Sequence, residues 1–423
     1  MDNTPRDFIF ILPHLKVNTT SVSRFTSIIR EAAQQGHHVS VLEFLYPLKK
    51  SKGLGQQLDD KVELEDYILD NLVSIPLKLN FLQKTAFFLL NQFDKPYWKI
   101  LNWLHQIIFN NDIFYPGKPV KKKSFINNSL ETIVVVFGGP FGIFSYAEEV
   151  SELYNAKLVL DYRDPWTFGY VSLDSSPLIH KLKMSVIRKR EKRILEKAVL
   201  VTTVSKTLKY FFPQEYQYKI EVFENGTNYN LNDLKGQSNK ESFNIVYLGT
   251  IYNSQLQDNI FFEAFKVFVK DKNPDEVKWY IVGAVDNYNL INKINAYDLG
   301  AYVEITPRIN QDKLLVYLQN ASVFLHLRYG QEKGIITSKQ ADYLFFNKPI
   351  LLPVSDCGDI SVSITMNKAG YTCNSVIENY QVLQNLWEKF SRKEDVSVNE
   401  KNSYLNLTRK EIAVRFLERL SNI

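Results

Sequence analysis

The chain has 423 residues, of which 45% are hydrophobic, and its formal net charge at pH 7 is +5. Because one domain usually takes about 100 to 200 residues, this length predicts two or three domains with sizeable cores and excludes a small stapled scaffold. The two cysteines, Cys357 and Cys373, form no Cys-x-x-Cys motif, which favours a reducing compartment over a disulfide framework.

Predicted strands and helices alternate along the first half of the sequence. A strand at 8–12 is followed by a helix at 23–35, a stop at Gly36 and a strand at 38–44. The same alternation gives further strands and helices at 132–137, 145–154, 157–160, 179–197, 199–204 and 220–223. Such alternation predicts a parallel sheet that helices cover on both faces.

A second alternating series follows a polar stretch at 225–242, where Asn, Gly, Lys and Ser predominate and a hinge is expected. Its strands and helices are predicted at 243–248, 257–270, 277–282, 303–305, 311–320, 322–327, 338–346 and 349–352. A last helix, at 402–420, follows a charged break and can pack against either half. The predicted division is a domain at 1–228, a linker at 229–242, a domain at 243–398, and a C-terminal helical segment at 399–423 that can cross back to the first domain.

Two features bear on membranes. Residues 75–109 are rich in Leu, Phe and Trp, which favours a buried helical region or, alternatively, an interfacial face. Basic clusters at 118–123 and 181–197 are typical of solvated surfaces, with anionic lipid headgroups as the alternative partner. No run of about 18 uncharged apolar residues occurs, and residues 1–7 are polar. We therefore expect a cytoplasmic protein without a spanning segment, and leave peripheral contact with the inner face of the cell membrane open.

The segment at 328–349 combines residues that suit a nucleotide. Ser338 or Thr337 can cap a helix whose exposed amides favour a phosphate, and Lys339 adds a positive charge there. Asp342 lies one turn further on the same face and can accept hydrogen bonds from ribose hydroxyls. The alternative is an exposed ion pair between Lys339 and Asp342, which contributes little to stability.

This segment resembles the donor-site stretch of family 4 GT-B glycosyltransferases, in Thr337-Ser338-Lys339, Asp342-Tyr343-Leu344 and Lys348-Pro349-Ile350-Leu351. Other matching stretches occur in the family's order, at 161–166 (DYRDPW), at 225–226 (NG) and at 247–252 (YLGTIY). The resemblance covers about residues 8 to 375.

The resemblance implies an α/β protein of the GT-B fold, with two Rossmann-like, doubly wound parallel-sheet domains that face a cleft. The first domain is expected to bind an acceptor and the second a nucleotide-sugar. The implied activity is a retaining, hexosyltransferase-like transfer from a nucleotide diphosphate sugar to a hydroxyl of a glycan or lipid-linked glycan. Bacterial enzymes of this type build cell-surface polysaccharides.

The donor residues implied by the family order include Gly249 and Thr250, where the backbone and a hydroxyl would approach the diphosphate. A tight turn explains this glycine equally well. Arg308 falls in the family's nucleobase loop, and a surface arginine is the alternative. Lys339, the helix terminus and the Gly249 amides would stabilise the leaving diphosphate, an arrangement that requires no metal or other cofactor.

The acceptor side is predicted around 161–166. Asp164 is expected to orient or deprotonate the acceptor hydroxyl, and Trp166 to stack on a sugar. Arg163 is expected to keep Asp164 charged or to bind an anionic acceptor. The alternative is an ordinary Asp-Pro turn that Arg163 and Asp161 staple together. By analogy with the family, His14, Asn18 and Gly139 are expected to line the acceptor pocket from other strand ends, and a structural role is the alternative for His14.

Two departures from the family pattern leave the function open. Gly334 and Asp342 stand where many members carry two glutamates, so the sugar contact is unassigned, and 251–259 contains no Lys or Arg. Lys339 would then carry more of the phosphate neutralisation. The alternatives to a glycosyltransferase are a nucleotide-sugar 2-epimerase on the same fold and a non-catalytic nucleotide-sugar-binding subunit. Nucleic acid is not an expected partner.

Overall fold

The computed structural model describes residues 4–13, 15, 20–45, 66–76, 117–122, 125–127, 130–139, 141–168, 177–235, 241–394, 396 and 405–423. His14, Asn18 and most of the apolar stretch at 75–109 lie outside the described residues, so their predicted roles stay predictions. Backbone contacts divide the chain into two compact units. The first holds the described residues up to Phe223 together with Ala413–Ile423, and the second holds Glu224–Ile412.

The first unit is built on a seven-stranded parallel sheet with the strand order β3-β2-β1-β4-β5-β6-β7. Its strands are β1 (Asp7–Leu12), β2 (His38–Leu45), β3 (Leu72–Pro76), β4 (Thr132–Phe137), β5 (Lys157–Tyr162), β6 (Leu200–Thr203) and β7 (Ile220–Val222). Its helices are α1 (Thr20–Gln34), α2 (Asp66–Asp70), α3 (Gly142–Leu153), α4 (Pro177–Lys197) and α5 (Lys206–Phe211). Apolar side chains of β1, β4 and β5 are fully buried, as expected for a sheet covered on both faces.

The second unit is built on a six-stranded parallel sheet with the order β10-β9-β8-β11-β12-β13. Its strands are β8 (Phe243–Leu248), β9 (Val277–Val282), β10 (Val303–Thr306), β11 (Val323–Leu325), β12 (Ile350–Leu352) and β13 (Gly370–Thr372). Its helices are α6 (Ile260–Val269), α7 (Tyr288–Ala296), α8 (Gln311–Asn320), α9 (Ser338–Phe346), α10 (Asp359–Met366) and α11 (Val376–Ser391). The final helix, α12 (Arg409–Ser421), begins in the second unit and continues into the first from Ala413.

Two doubly wound parallel sheets confirm the predicted architecture of Rossmann-like domains. Strands β4, β8 and β9 and helices α8 and α9 have the predicted bounds. Helix α1 begins at Thr20 rather than at 23, and α12 begins at Arg409 rather than at 402. The elements absent from the prediction are α2, β3, α5, α7, α10, β13 and α11. None of the helices in the described part of the chain is long and apolar enough to cross a membrane.

The strand order fixes where a ligand of each sheet would bind. In the second unit the order reverses between β8 and β11, and in the first between β1 and β4. At such a point neighbouring loops diverge beyond the carboxyl ends of the strands and leave a crevice. Tyr229, in the predicted linker, is buried against Phe346 of α9 with ring centroids 5.1 Å apart. This contact places the segment around Tyr229 against α9, the helix between β11 and β12.

Candidate functional site

Two glycines open the crevice of the second unit. Gly249 directly follows β8 with a φ of +94°, and Gly283 follows β9 with a φ of +103°. A Cβ atom on Gly283 would lie 3.4 Å from the Gly249 backbone, so the two turns pack closely. The Gly249 amide donates to the Val282 carbonyl at 2.7 Å. This amide is therefore already engaged and is not the expected phosphate donor, and the positive φ of Gly249 fits the alternative of a tight turn.

Lys339, in the first turn of α9, points under the Gly249 turn. Only 8% of its surface is exposed, and its Nζ donates to the Tyr247 hydroxyl at 2.7 Å. Nζ also lies 4.0 Å from the position that a Cβ on Gly249 would take. Loss of water around the ammonium lowers the pKa of Lys339 to about 7. No acidic side chain among the described residues forms an ion pair with it, so the alternative of an exposed pair with Asp342 is wrong.

Aromatic and imidazole rings surround this ammonium. Nζ lies 4.1 Å from the ring centroid of Tyr247 and 5.8 Å from that of Tyr329. His326, just beyond β11, is fully buried, and neither ring nitrogen has a hydrogen-bond partner of normal geometry among the described residues. Burial, together with the charge of Lys339, lowers the pKa of His326 to about 3. The imidazole is therefore neutral at physiological pH and adds no competing charge.

Sequence reasoning assigned no role to Tyr247 or His326. Both lie in predicted strands that are mostly apolar, and a polar ring near the carboxyl end of such a strand is the signal that could have singled them out. The site motif also contains Tyr343, whose hydroxyl accepts a hydrogen bond from the Leu248 amide at 2.9 Å and whose ring stacks on Phe324. Tyr343 thus ties α9 to the end of β8.

Asp342 binds the chain that enters the second unit. The Thr227 hydroxyl donates to its Oδ1 at 2.6 Å, and burial raises the pKa of Asp342 to about 6. The Asn225 side chain donates to the Ile336 carbonyl at 3.4 Å in the loop before α9. Asn225 and Gly226 were predicted as a hinge motif, and the structure places their neighbour Thr227 on the carboxylate predicted to bind ribose. Thr227 was missed because its partner is remote in sequence.

The remaining donor candidates lie around the same helix and strand ends. Thr337 occupies the position before α9 in an extended conformation, and its side chain makes no capping hydrogen bond to the helix. Ser338 begins the helix, and Thr250 is exposed directly after Gly249. Arg308 is also exposed, two residues beyond β10. The Gln340 amide of the first turn donates instead to the Thr337 carbonyl at 3.1 Å.

In the first unit, the loop after β5 carries the predicted acceptor residues. Asp161 is fully buried and pairs with Arg24, whose Nε and Nη2 lie 3.2 and 3.1 Å from its two oxygens. The Thr202 hydroxyl also donates to it at 2.6 Å. Arg163 instead pairs with Asp164 at 3.0 Å, and the Asp164 side chain is 58% exposed. The alternative in which Arg163 and Asp161 staple the loop is therefore wrong.

Helix α4 holds the far side of this loop. The fully buried Glu191 accepts hydrogen bonds from the Thr167 hydroxyl and, at 3.1 Å, from its amide. Arg188 donates to the Thr167 carbonyl at 2.9 Å. Burial raises the pKa of Glu191 to about 7. Glu191 thus fixes the loop that carries Asp164 at its Thr167 end.

Trp166 and Gly139 frame the same strand end. The Trp166 ring stacks on Phe141, with centroids 5.5 Å apart and planes 12° apart, so one face of the indole already packs against protein. Gly139 is exposed with a φ of +85°, and a Cβ there would meet no atom within 4 Å. In the described part of the chain, no group of three or more His, Cys, Asp or Glu side chains could hold a metal ion.

Comparisons with known proteins find structural similarity but no match in sequence. No family model matches the sequence, and no curated protein matches it. A sucrose-phosphate synthase from Thermosynechococcus elongatus is similar in structure, with a TM-score of 0.60, 12% identity and 99% of each chain covered. Anabaena HepE, solved in complex with UDP-glucose, has a TM-score of 0.58 and 12% identity over 99% of this chain and 100% of its own. A proposed UDP-N-acetylglucosamine 2-epimerase from Listeria monocytogenes has a TM-score of 0.51 and 10% identity over 99% and 96% of the two chains.

These similarities confirm that the chain has the GT-B fold, in agreement with its two doubly wound sheets. At identities of this size they establish the fold and leave the reaction open. The proteins that share the fold carry the names of both glycosyltransferases and epimerases. The choice between these activities therefore depends on the site residues of this chain.

Proposed function

We propose that this protein is a retaining glycosyltransferase that takes a sugar from a nucleotide diphosphate sugar and transfers it to a hydroxyl of a glycan or lipid-linked glycan. The observation that carries the proposal is the buried ammonium of Lys339, which lies beside Gly249 without an acidic ion-pair partner among the described residues. Burial of an unpaired ammonium costs several kcal/mol of folding free energy. A bound diphosphate would supply the missing counter-charge.

The chemistry proposed for the donor side is electrostatic. As the bond between the sugar carbon and the diphosphate breaks, negative charge grows on the leaving oxygens. Lys339 and the positive end of the α9 dipole are proposed to stabilise that charge, and Gly249 to allow the phosphates to approach the backbone. Asp342 is proposed to accept hydrogen bonds from the ribose, and Arg308 to contact the nucleobase.

On the acceptor side, Asp164 is the proposed group that orients or deprotonates the attacking hydroxyl. Its side chain pairs with Arg163 at 3.0 Å and is 58% exposed, so an acceptor hydroxyl can reach the carboxylate. The acceptor oxygen would bond to the sugar carbon on the face that the diphosphate leaves, and Asp164 would accept the hydroxyl proton. Trp166 and Gly139 are proposed to contact the acceptor sugar.

Thermal unfolding in a panel of nucleotides tests the donor site. We expect UDP, GDP or their sugar conjugates to raise the midpoint temperature of the wild-type protein. Lys339→Met should weaken nucleotide binding at least tenfold, which is about 1.4 kcal/mol, and should raise the midpoint without nucleotide because the buried charge is gone. Lys266→Met removes an exposed lysine of α6 and serves as the control. A wild-type protein that no nucleotide stabilises would refute the donor site.

Product analysis in the same panel separates the competing activities. Glycosyl transfer releases a nucleoside diphosphate in the presence of acceptor, whereas a 2-epimerase returns an isomer of the nucleotide-sugar. A binding subunit would show stabilisation without either product. Asp164→Asn should slow nucleotide release and leave the nucleotide-induced thermal shift unchanged, and full activity of this variant would remove Asp164 from the mechanism.

A further inference from the structure

The hydroxyl of Tyr247 is a buried junction beneath the proposed diphosphate site. Tyr247 is the next-to-last residue of β8 and is fully buried. Its oxygen accepts from Lys339 Nζ at 2.7 Å and from Gln255 Nε2 at 3.3 Å, and its proton can be donated to the Thr250 carbonyl at 3.2 Å. A phenol has one donor and two acceptor positions, so these three contacts use all of them.

Gln255 in turn is held by contacts on both sides of its amide. Its Nε2 also donates to the Leu327 carbonyl at 3.0 Å, beyond β11, and its Oε1 accepts from the Tyr252 amide at 3.0 Å. The Tyr247 oxygen therefore has little freedom to move. Since Thr250 and Tyr252 belong to the turn that follows β8, the network joins this turn to the first turn of α9.

The ring of Tyr247 adds a second constraint on the ammonium. Nζ lies 4.1 Å from the ring centroid, well inside the range of about 6 Å in which a cation is attracted to an aromatic face. Among the residues that the structure describes, the other titratable groups around Lys339 are His326 beyond β11, Tyr329 in the following loop, and Asp342 and Tyr343 on α9. Asp342 is bound to Thr227 and Tyr343 to the Leu248 amide, so their hydrogen bonds are directed elsewhere.

We propose that Tyr247 is a positioning residue for donor binding, because its hydroxyl and ring hold Lys339 in place beside Gly249 and keep it protonated. This inference rests on the proposed function. A lone pair that accepts a hydrogen bond stabilises the ammonium but offers nothing comparable to the neutral amine. Loss of the hydroxyl should thus make Lys339 lose its proton at lower pH. The desolvation that already lowers the pKa of Lys339 to about 7 makes this change visible near neutrality.

Nucleotide binding measured against pH tests the role of Tyr247. UDP and GDP are titrated calorimetrically between about pH 5.5 and 8.5, and the titration of the diphosphate itself cancels in the ratio of the affinities of the two proteins. Wild-type affinity should fall as Lys339 loses its proton. In Tyr247→Phe the fall should begin about one pH unit lower, so that binding on the descending limb is about tenfold weaker. Tyr343→Phe is the matched control, since its hydroxyl is equally buried, bonds to β8 and does not contact Lys339.

The outcomes distinguish this inference from the proposed function. If the wild-type protein binds UDP or GDP and Tyr247→Phe has an unshifted pH profile, the inference is overturned and the donor site stands. Binding of neither nucleotide by the wild-type protein overturns both. A merely structural role for Tyr247 would lower the melting temperature without moving the profile. Should Tyr247→Phe fail to fold, 3-fluorotyrosine at position 247 keeps the shape, weakens the acceptor and should give a smaller shift in the same direction.

Discussion

His326 and Lys339 are buried nitrogen bases, and a positive charge on one would repel a positive charge on the other. The pKa of each is lowered in the folded protein, chiefly because burial removes water from the charged form. For His326 the unfolded chain binds a proton near pH 6.5, whereas the folded protein does so only near pH 3. The unfolded state therefore holds more protons between these values. Stability from neutral His326 is complete above pH 6.5 and is lost as the pH falls towards 3.

Replacement of His326 by leucine should remove this acid sensitivity. We expect the free energy of unfolding of the wild-type protein to fall, relative to His326→Leu, by about 1.4 kcal/mol per pH unit between pH 6 and pH 4. Above pH 7 the difference between the two proteins should be constant. Urea denaturation at several pH values measures it. A difference that stays constant down to pH 4 would show that folding does not lower the pKa of His326.

At this scale the sequence predicted the residues of the motif but not their partners. Lys339, Asp342 and Gly249 were identified because they belong to a spaced pattern that a linear sequence preserves. Tyr247 lies 92 residues from Lys339, and Thr227 lies 115 residues from Asp342. These contacts depend on which strand lies beside which helix. A single sequence carries no signal for such pairs. The sequence therefore did not predict that the Lys339 side chain points towards Tyr247.

Among the elements, helix α4 fixes one end of the acceptor loop, which its basic composition did not predict. Its predicted significance was a charged surface, yet its buried Glu191 holds Thr167 of the loop that carries Asp164. Burial raises the pKa of this carboxyl to about 7 from 4.5. The folded state consequently holds more protons between these values. The stability contributed by protonated Glu191 is complete below pH 4.5 and is lost as the pH rises through 7.

Glu191→Gln should therefore be more stable than the wild-type protein at pH 8, because an uncharged amide replaces a buried carboxylate of similar shape. At pH 4.5 the two proteins should be closely similar. Thermal unfolding at both pH values measures the effect, with Glu196→Gln, an exposed position on the same helix, as the control. A wild-type protein that is the more stable at pH 8 would mean that Glu191 is held charged by its neighbours.

Elements marked by an apolar run were predicted well, whereas the three elements that follow β12 were missed. Strands β8 and β9 are mostly apolar and each is followed directly by a glycine, so their carboxyl ends follow from the sequence. Strand β13 has three residues and precedes α11, and neither was predicted. A signal for α11 was present, since Ser375 and Glu378 form a capping box at its start. Strand β13, with the sequence Gly-Tyr-Thr, has no apolar run of its own and forms because β12 lies beside it.

Over the whole molecule, the C-terminal end of the chain belongs to the first unit and not to the second. Helix α12 follows the second unit in sequence, yet its residues from Ala413 onwards belong to the first. Phe416 is fully buried there and meets Phe223 edge to face, with ring centroids 5.2 Å apart. Arg419 pairs with Glu221 of β7 at 2.5 Å. The amphipathic pattern of this helix predicted a buried face but left open which domain would cover it.

Phe416→Ala should consequently destabilise the first unit from the far end of the chain. Truncation of a buried phenylalanine costs about 3 to 5 kcal/mol. We expect faster hydrogen exchange in the amides of β5, β6 and β7, whereas the amides of β8 and β9 should keep the protection of the wild-type protein. Glu418→Ala, at an exposed position of the same helix, should change neither. Faster exchange confined to β8 and β9 would assign the end of α12 to the second unit, because exchange follows the core that a buried side chain completes.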